Sequence, residues 1–196
     1  MRSRRAQHTA ETLAALTRAA RSQFGKKGFE DASLSEIAKA ARVTTGAIYH
    51  HFKDKKGLFV AVAEQIEQEL LDTALSVTDP DPWLSMRKSF VASIDACARP
   101  DVQRITFIDA PRVVGPEDWR EIELRYAYGG MTVAIRRLVA AGMIRPYPVE
   151  LIAPVLLAVL AEAARAVAQG HADRGAASDL LIGVLESLRV QGPASG

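Results

Sequence analysis

Residues 28–59 read GFEDASLSEIAKAARVTTGAIYHHFKDKKGLF, and their spacing decides the fold. Ser33-Leu34-Ser35-Glu36 has the form of a capping box, with Ser33 at the N-cap and Glu36 reaching back to it. Leu34, Ile37, Ala38 and Ala41 then share one face, which specifies a helix of barely two turns. Ala40-Ala41-Arg42-Val43 ends it in a tight turn. Thr44 is a second N-cap, and the short helix after it carries Ala47, Ile48 and Phe52 inward. Two short helices joined by a turn of about four residues make a helix-turn-helix. Neither is long enough to be stable alone, so both must pack on the flanking helices expected at 7–25 and 55–77.

The outward residues of the second short helix suit DNA. Thr44 and Thr45 stand at its N-terminus, where free backbone N–H groups and the helix dipole favour a phosphate or a base edge. Gly46 adds no side chain, so the backbone can approach a groove closely. Tyr49 offers a hydroxyl donor, and His50 and His51 can bond to phosphates or base edges. Adjacent helical residues point about 100° apart, so one histidine faces DNA while the other packs or bonds locally. Asp54 can cap the next helix, and Lys55 in its first turn can hold a phosphate. Ser35 and Arg42 complete the candidate contact set. Neighbouring histidines do not converge on one ion, so no metal site is expected there.

Charge supports this reading. The whole chain carries a formal +2. Residues 1–56 hold 12 Lys and Arg against 5 Asp and Glu, a net of +7; residues 57–196 hold 13 against 18, a net of −5. A basic head on an acidic body is what a polyanion-binding module on a carrier would show.

Helices fill the remainder. Proline and glycine mark joints at Gly25/Gly28, Pro80/Pro82, Pro100, Pro111/Pro116, Gly142/Pro146/Pro148, Gly170/Gly175 and Gly192/Pro193. Between them the apolar spacing is helical: Leu13, Leu16, Ala20 and Phe24 form one stripe, and Leu58, Val62 and Ile66 another. The expectation is an all-α chain of about nine helices, with further ones near 34–41, 45–51, 82–98, 101–109, 116–141, 149–169 and 177–190. At 196 residues and 48% hydrophobic, the chain is globular. One cysteine, Cys97, excludes an intrachain disulfide framework. No apolar stretch of signal-peptide length follows the basic N-terminus. The longest strongly apolar run, Leu151–Ala161, has 11 residues, too few to span a bilayer, so a cytoplasmic protein with no membrane partner is expected.

Residues 8–60 resemble the DNA-binding domain of the TetR family of bacterial transcriptional regulators. The family's first-half pattern is matched by Gly28, Phe29, Ala32, Ser33, Leu34, Ile37, Ala38 and Ala41. Val43, Thr44, Gly46, Ala47, Ile48, Tyr49, His51, Phe52, Asp54, Lys55 and Leu58 match the second, and the resemblance favours His51 over His50 as the DNA contact. One position departs. Arg42 stands where the family usually has glycine, and a left-handed backbone there costs a non-glycine residue about 1 kcal/mol. A phosphate contact by Arg42 would offset it.

The resemblance implies a helix-turn-helix domain at 1–55 and a helical domain at 56–196 that binds an effector and pairs two chains. The partners implied are a double-stranded DNA operator, a small-molecule effector and a second copy; no cofactor is implied. In the last two helices, Leu156, Leu160 and Val167 with Leu181, Val184 and Leu188 are the candidate dimer contacts, since a helix apolar nearly all round needs cover on two sides. Phe90, Ile94, Cys97, Phe107, Trp119, Tyr126 and Met131 are candidates for an effector pocket, or for plain core. The paired Gly129-Gly130 marks a kink or a close helix contact. Cys97, among apolar neighbours, is expected to be an inert thiol.

No phosphate loop, H-E-x-x-H or G-x-S-x-G motif is present, and His8 and His171 are isolated. The expected function is a ligand-responsive repressor. An activator of the same architecture, or a ligand-binding or enzymatic domain using the motif as scaffold, are the alternatives.

Overall fold

The structure, a computed structural model, describes residues 4–190, with side chains from residue 6. The joint expected at Gly192/Pro193 lies outside them. The helices are α1 (Arg4–Asp31), α2 (Leu34–Ala41), α3 (Thr45–Phe52), α4 (Lys55–Ser76) and α5 (Pro82–Cys97). Next, α6 (Pro100–Val102), a π-helical segment (Gln103–Asp109) and α7 (Ala110–Val113) run on without a break. They are followed by α8 (Pro116–Ala140), α9 (Val149–Ala168) and α10 (Arg174–Ser187). Counting the run from Pro100 to Val113 as one rod, the described residues make nine rods and no strand. The all-α expectation holds.

α1 runs past its expected end because Gly28 breaks the helical path without ending the rod. Its φ of 80° and ψ of 174° are open to glycine at little cost. A side chain there would also strike the Arg104 guanidinium.

The rods sort into two compact units that do not follow sequence order. The first holds residues up to Ile66 together with Pro100–Trp119; the second holds Glu67–Arg99 and the residues from Arg120 onward.

The first unit is built on the two predicted stripes. Leu16, Ala20 and Phe24 of α1 meet Leu58, Val62 and Ile66 of α4, all fully buried. Phe24 and Phe59 lie edge to face at 5.1 Å, and Phe29 meets Phe59 at 5.2 Å. Burying one such ring contributes about 1.5–3 kcal/mol. Ile37 and Ile48 anchor the short helices to this core. The later segment docks on α1 through charge as well as packing. Arg21 Nε pairs with Asp101 Oδ2 at 2.7 Å, and the buried Asp109 accepts the Phe29 amide at 2.8 Å and Arg104 Nε at 3.3 Å.

In the second unit, Trp83, Met86, Phe90, Ile94 and Cys97 bury one face of α5. Gly130 lets α8 approach α4 closely: a Cβ there would stand 2.9 Å from Leu71 Cδ1. Gly130 therefore serves a helix contact, while a Cβ at Gly129 would meet nothing within 4 Å. α9 and α10 pack on one another through Ile152, Leu156, Leu157, Leu181 and Leu185.

This packing corrects the expected dimer face. Leu156 and Leu181 are 1% and 0% exposed within their own chain, so they are core. Leu160, Val167, Val184 and Leu188 are half-buried. The apolar residues left outside are Leu151, Val155 and Leu180, at 58%, 49% and 59% exposure. Among the described residues α9 is also the one helix long and apolar enough to cross a membrane. Its inner face is core, and the helix carries Glu150, Glu162 and Arg165 outside that face.

Candidate nucleic-acid interface

The expected geometry of α2 and α3 forms, with different local bonds. Ser33 takes the extended N-cap conformation but makes no side-chain capping bond. Its hydroxyl meets that of Ser35 at 2.8 Å, and Glu36 pairs with Lys27 at 2.6 Å instead of reaching back. The capping box is thus not made, because a cation on α1 competes for the Glu36 carboxylate. Thr44 likewise sits at the N-cap of α3 without a capping bond, which leaves its hydroxyl facing outward on an exposed residue.

Arg42 is in the left-handed conformation, at φ 58° and ψ 39°. It closes α2 through its amide bond to the Lys39 carbonyl at 3.2 Å, and Val43 N returns to Ala38 O at 3.0 Å. The turn keeps the shape a glycine would give it, and the guanidinium is exposed beside α3.

Ile48 is fully buried under α3, which fixes what faces out. Thr44, Gly46, Tyr49 and His50 are exposed, Tyr49 at 55%. Thr45 and His51 are half-buried, and the two histidine rings meet edge to face at 4.9 Å. His51 also lies 6.4 Å from the Phe52 ring. Of the pair, His50 is the outward one and His51 turns toward the core.

The joint to α4 was not read from the sequence. Lys53 has φ 68° and ψ −51°, and Asp54 N bonds back to Phe52 O at 2.8 Å. That is a γ-turn with positive φ, a strained form rare in proteins. Asp54 Oδ1 accepts the Gly57 amide at 2.7 Å, so it caps α4 as expected. Gly57 is required here, because a Cβ would collide with the Phe52 carbonyl oxygen. Its signal was a glycine three residues after a capping aspartate, where helix propensity disfavours it.

Lys55, expected to hold a phosphate, has structural partners. Its ammonium donates to the Glu30 carbonyl at 2.8 Å and lies 4.8 Å from the Phe29 ring centroid. It ties α4 to the end of α1. Lys39, Arg42, Lys53 and Lys56 remain exposed around the reading surface, giving it a positive field.

The pocket candidates divide between the units. Phe90, Ile94 and Cys97 share the buried face of α5, and Tyr126 and Met131 are half-buried on α8, all in the second unit. Phe107 and Trp119, 7% and 2% exposed, belong to the interior of the first unit. They went there because Pro100–Trp119 docks on α1, which composition does not announce. Burial pushes the Cys97 thiol up to about 12, with the charge of Glu67 adding to the effect, so it stays protonated and inert. The expected surface pair Glu121–Arg125 is present at 3.9 Å.

Known proteins match both regions. Residues 16–62 fit the family model "Bacterial regulatory proteins, tetR family", and residues 83–189 fit "Tetracyclin repressor-like, C-terminal domain". A crystal structure of a TetR-family transcriptional regulator from Pectobacterium atrosepticum is 32% identical, with 97% of this chain and 99% of that one covered at a TM-score of 0.79. The Transposon Tn10 TetC protein of Escherichia coli is 28% identical over 148 residues, 74% of each chain. The HTH-type transcriptional repressor BepR of Brucella suis is 35% identical over 101 residues, 50% of this chain and 48% of BepR's length. This chain therefore spans about half of that relative.

Proposed function

The chain belongs to the TetR family and is a helix-turn-helix transcriptional regulator, not an enzyme; from that premise we propose that it is a ligand-responsive repressor. It binds a pseudo-palindromic operator as a dimer in the cytoplasm and is released by a small molecule. The observation that carries the reading is the exposed face of α3. Thr44, Gly46, Tyr49 and His50 project behind a turn held by Arg42, with free backbone N–H groups at the helix N-terminus. Thr45 and His50 read bases; Ser35, Arg42, Tyr49 and Lys55 hold phosphates, with His51 behind them positioning the helix.

The dimer forms through α9 and α10, by the outward face of Leu151, Val155 and Leu180 with the half-buried Leu160, Val167, Val184 and Leu188. Exposed leucines and valines on adjacent apolar helices are what a second copy would cover. The effector binds in the second unit, residues 67–99 and 120 onward, where Phe90, Ile94, Cys97, Tyr126 and Met131 lie.

Fluorescence polarisation against duplexes flanking the protein's own gene tests the reading. Binding should weaken linearly with log salt, as expected when phosphate contacts release counterions. Val155→Glu with Leu180→Glu should give monomers by sedimentation and lose operator affinity. A folded dimer that binds no duplex, or binds independently of salt, would overturn it. Reporter transcription that falls when the gene is deleted would favour an activator instead.

A further inference from the structure

Among the described residues, two that are not glycine hold a positive φ: Arg42 at 58° and Lys53 at 68°. Both are cations, and they stand at the two ends of α3. Arg42 lies in the turn before it, and Lys53 is its C-cap. The other positive-φ positions, at 28, 115, 142 and 170, are all glycine, for which that backbone carries little steric cost. Glycine is thus used wherever φ is positive, except beside the reading helix.

Lys53 is the more strained of the two. Its ψ of −51° puts it outside the left-handed helical basin that holds Arg42. A lysine at the centre of such a γ-turn is held at a cost that glycine would avoid.

Nothing that Lys53 does inside the protein offsets this cost. Its amide bonds to the Tyr49 carbonyl at 3.1 Å, a bond that glycine would make equally well. Its side chain is exposed and has no hydrogen bond, ion pair or ring contact among the described residues. Other cations nearby are committed: Lys27 pairs with Glu36, and Lys55 is tied to Glu30 and Phe29. Lys56 is exposed like Lys53, but it lies within α4 on ordinary helical backbone.

We propose that Lys53 is a phosphate contact of the helix-turn-helix, matched with Arg42 across α3, and that its positive φ persists because the side chain it presents there grips the DNA backbone. The inference rests on DNA binding through α3 and needs neither the repressor role nor an effector. α3 has 8 residues and so spans about 12 Å, close to the width of the major groove, about 12 Å. A cation at each end of such a rod is within reach of the phosphates that border the groove. The two contacts are ionic and carry no sequence information of their own. They fix the register at which Thr45 and His50 meet the bases.

Three substitutions in the full chain separate charge from strain. Lys53→Gln keeps the strained backbone and much of the side chain but loses the charge. Lys53→Gly loses both, and Lys56→Gln removes a neighbouring exposed charge that carries no strain. Each is titrated by fluorescence polarisation, across a salt series, against a labelled duplex from upstream of the protein's own gene. Both Lys53 variants should flatten the slope of log K against log salt by about 0.9 per protomer, weakening binding about eightfold per protomer at about 0.1 M salt. Lys56→Gln should flatten it much less. In urea followed by circular dichroism, Lys53→Gly should unfold at a higher midpoint than Lys53→Gln. Neutral methylphosphonates placed singly along the duplex should reveal a position that weakens the parent and leaves Lys53→Gln unaffected.

The proposal is overturned if Lys53→Gln keeps the parent's affinity and salt slope. It is overturned equally if Lys56→Gln loses as much, since a diffuse field would then account for both, or if Lys53→Gly unfolds no later than Lys53→Gln. In each of these cases DNA binding by the parent stands. A folded parent that binds neither this duplex nor an unrelated one at low salt overturns the contact together with the assignment of α3 as the DNA-facing helix.

Discussion

The Asp109 carboxylate accepts the Phe29 amide N–H at 2.8 Å, joining residues 80 positions apart in the chain. The bond lies where Gly28 turns α1 out of its helical path, and Arg104 Nε donates to the same carboxylate oxygen at 3.3 Å. An amide freed by the kink finds its acceptor there. The end of α1 is thereby fixed, and with it the start of the helix-turn-helix. Asp109→Ala should destabilise the protein by about 1–3 kcal/mol, the cost of leaving a buried donor unpaired and a guanidinium without its partner. Asp109→Asn, which keeps an acceptor, should recover part of that loss. Urea unfolding followed by circular dichroism measures both.

Tyr49 and Lys55 should separate in their effects. Tyr49 is exposed and makes no structural bond, so Tyr49→Phe should weaken operator binding several-fold and leave the melting temperature unchanged. Lys55 ties α4 to Glu30 as well as facing phosphate, so Lys55→Ala should lower both affinity and stability. The stability loss should be on the order of 1 kcal/mol. Parallel melts and polarisation titrations decide the matter, and Thr45→Ala should change base preference where these two do not.

Arg42 holds a left-handed backbone that glycine would adopt freely. Arg42→Gly should therefore stabilise the fold by about 1 kcal/mol or slightly less, the relief of strain being partly offset by a more flexible unfolded chain. The same variant should bind operator more weakly, with its salt slope reduced by about one charge. A gain in stability together with a loss in affinity is the signature. If the affinity also rises, Arg42 holds no phosphate.

Glu67 sets a pH dependence of stability with a definite sign. Its carboxyl ionises near 4.5 when unfolded and near 8 when folded. Between those values the folded chain keeps a proton that the unfolded chain has lost, so stability is lost as pH rises through this window. Glu67→Gln removes the effect. Its stability advantage over the parent should grow between about pH 5 and about pH 8, by an amount on the order of a few kcal/mol. Chemical denaturation of both proteins across that range gives the difference directly. A constant offset would mean that Glu67 titrates normally.

The helix-turn-helix was legible because its information is local. Spacings of three and four residues place Ile37 and Ile48 inward, and glycine's usual position marks the turn at Arg42. The unexpected parts all depend on something distant. Glu36 left its cap for Lys27, nine positions away. The γ-turn at Lys53 accompanies a close approach of Gly57 on α4 to the Phe52 carbonyl, which no propensity of lysine suggests. α9 is apolar nearly all round, so periodicity could not tell its inner face, with Leu156, from its outer one, with Leu151 and Val155. Glu67 sits in the run Glu64-Gln65-Ile66-Glu67-Gln68-Glu69, where nothing in composition sets it apart from its solvated neighbours.

The alliance of α1 with Pro100–Trp119 bears on how such a reading head could be transplanted. A graft made by cutting after residue 55 would carry off Arg21, Gly28 and Phe29 while leaving Asp101, Arg104 and Asp109 with the donor body. Recombination would respect the fold only if it moved two stretches of the gene at once. The portable piece of this protein is discontinuous, and a hybrid built as a simple fusion would inherit a head with its back unfastened.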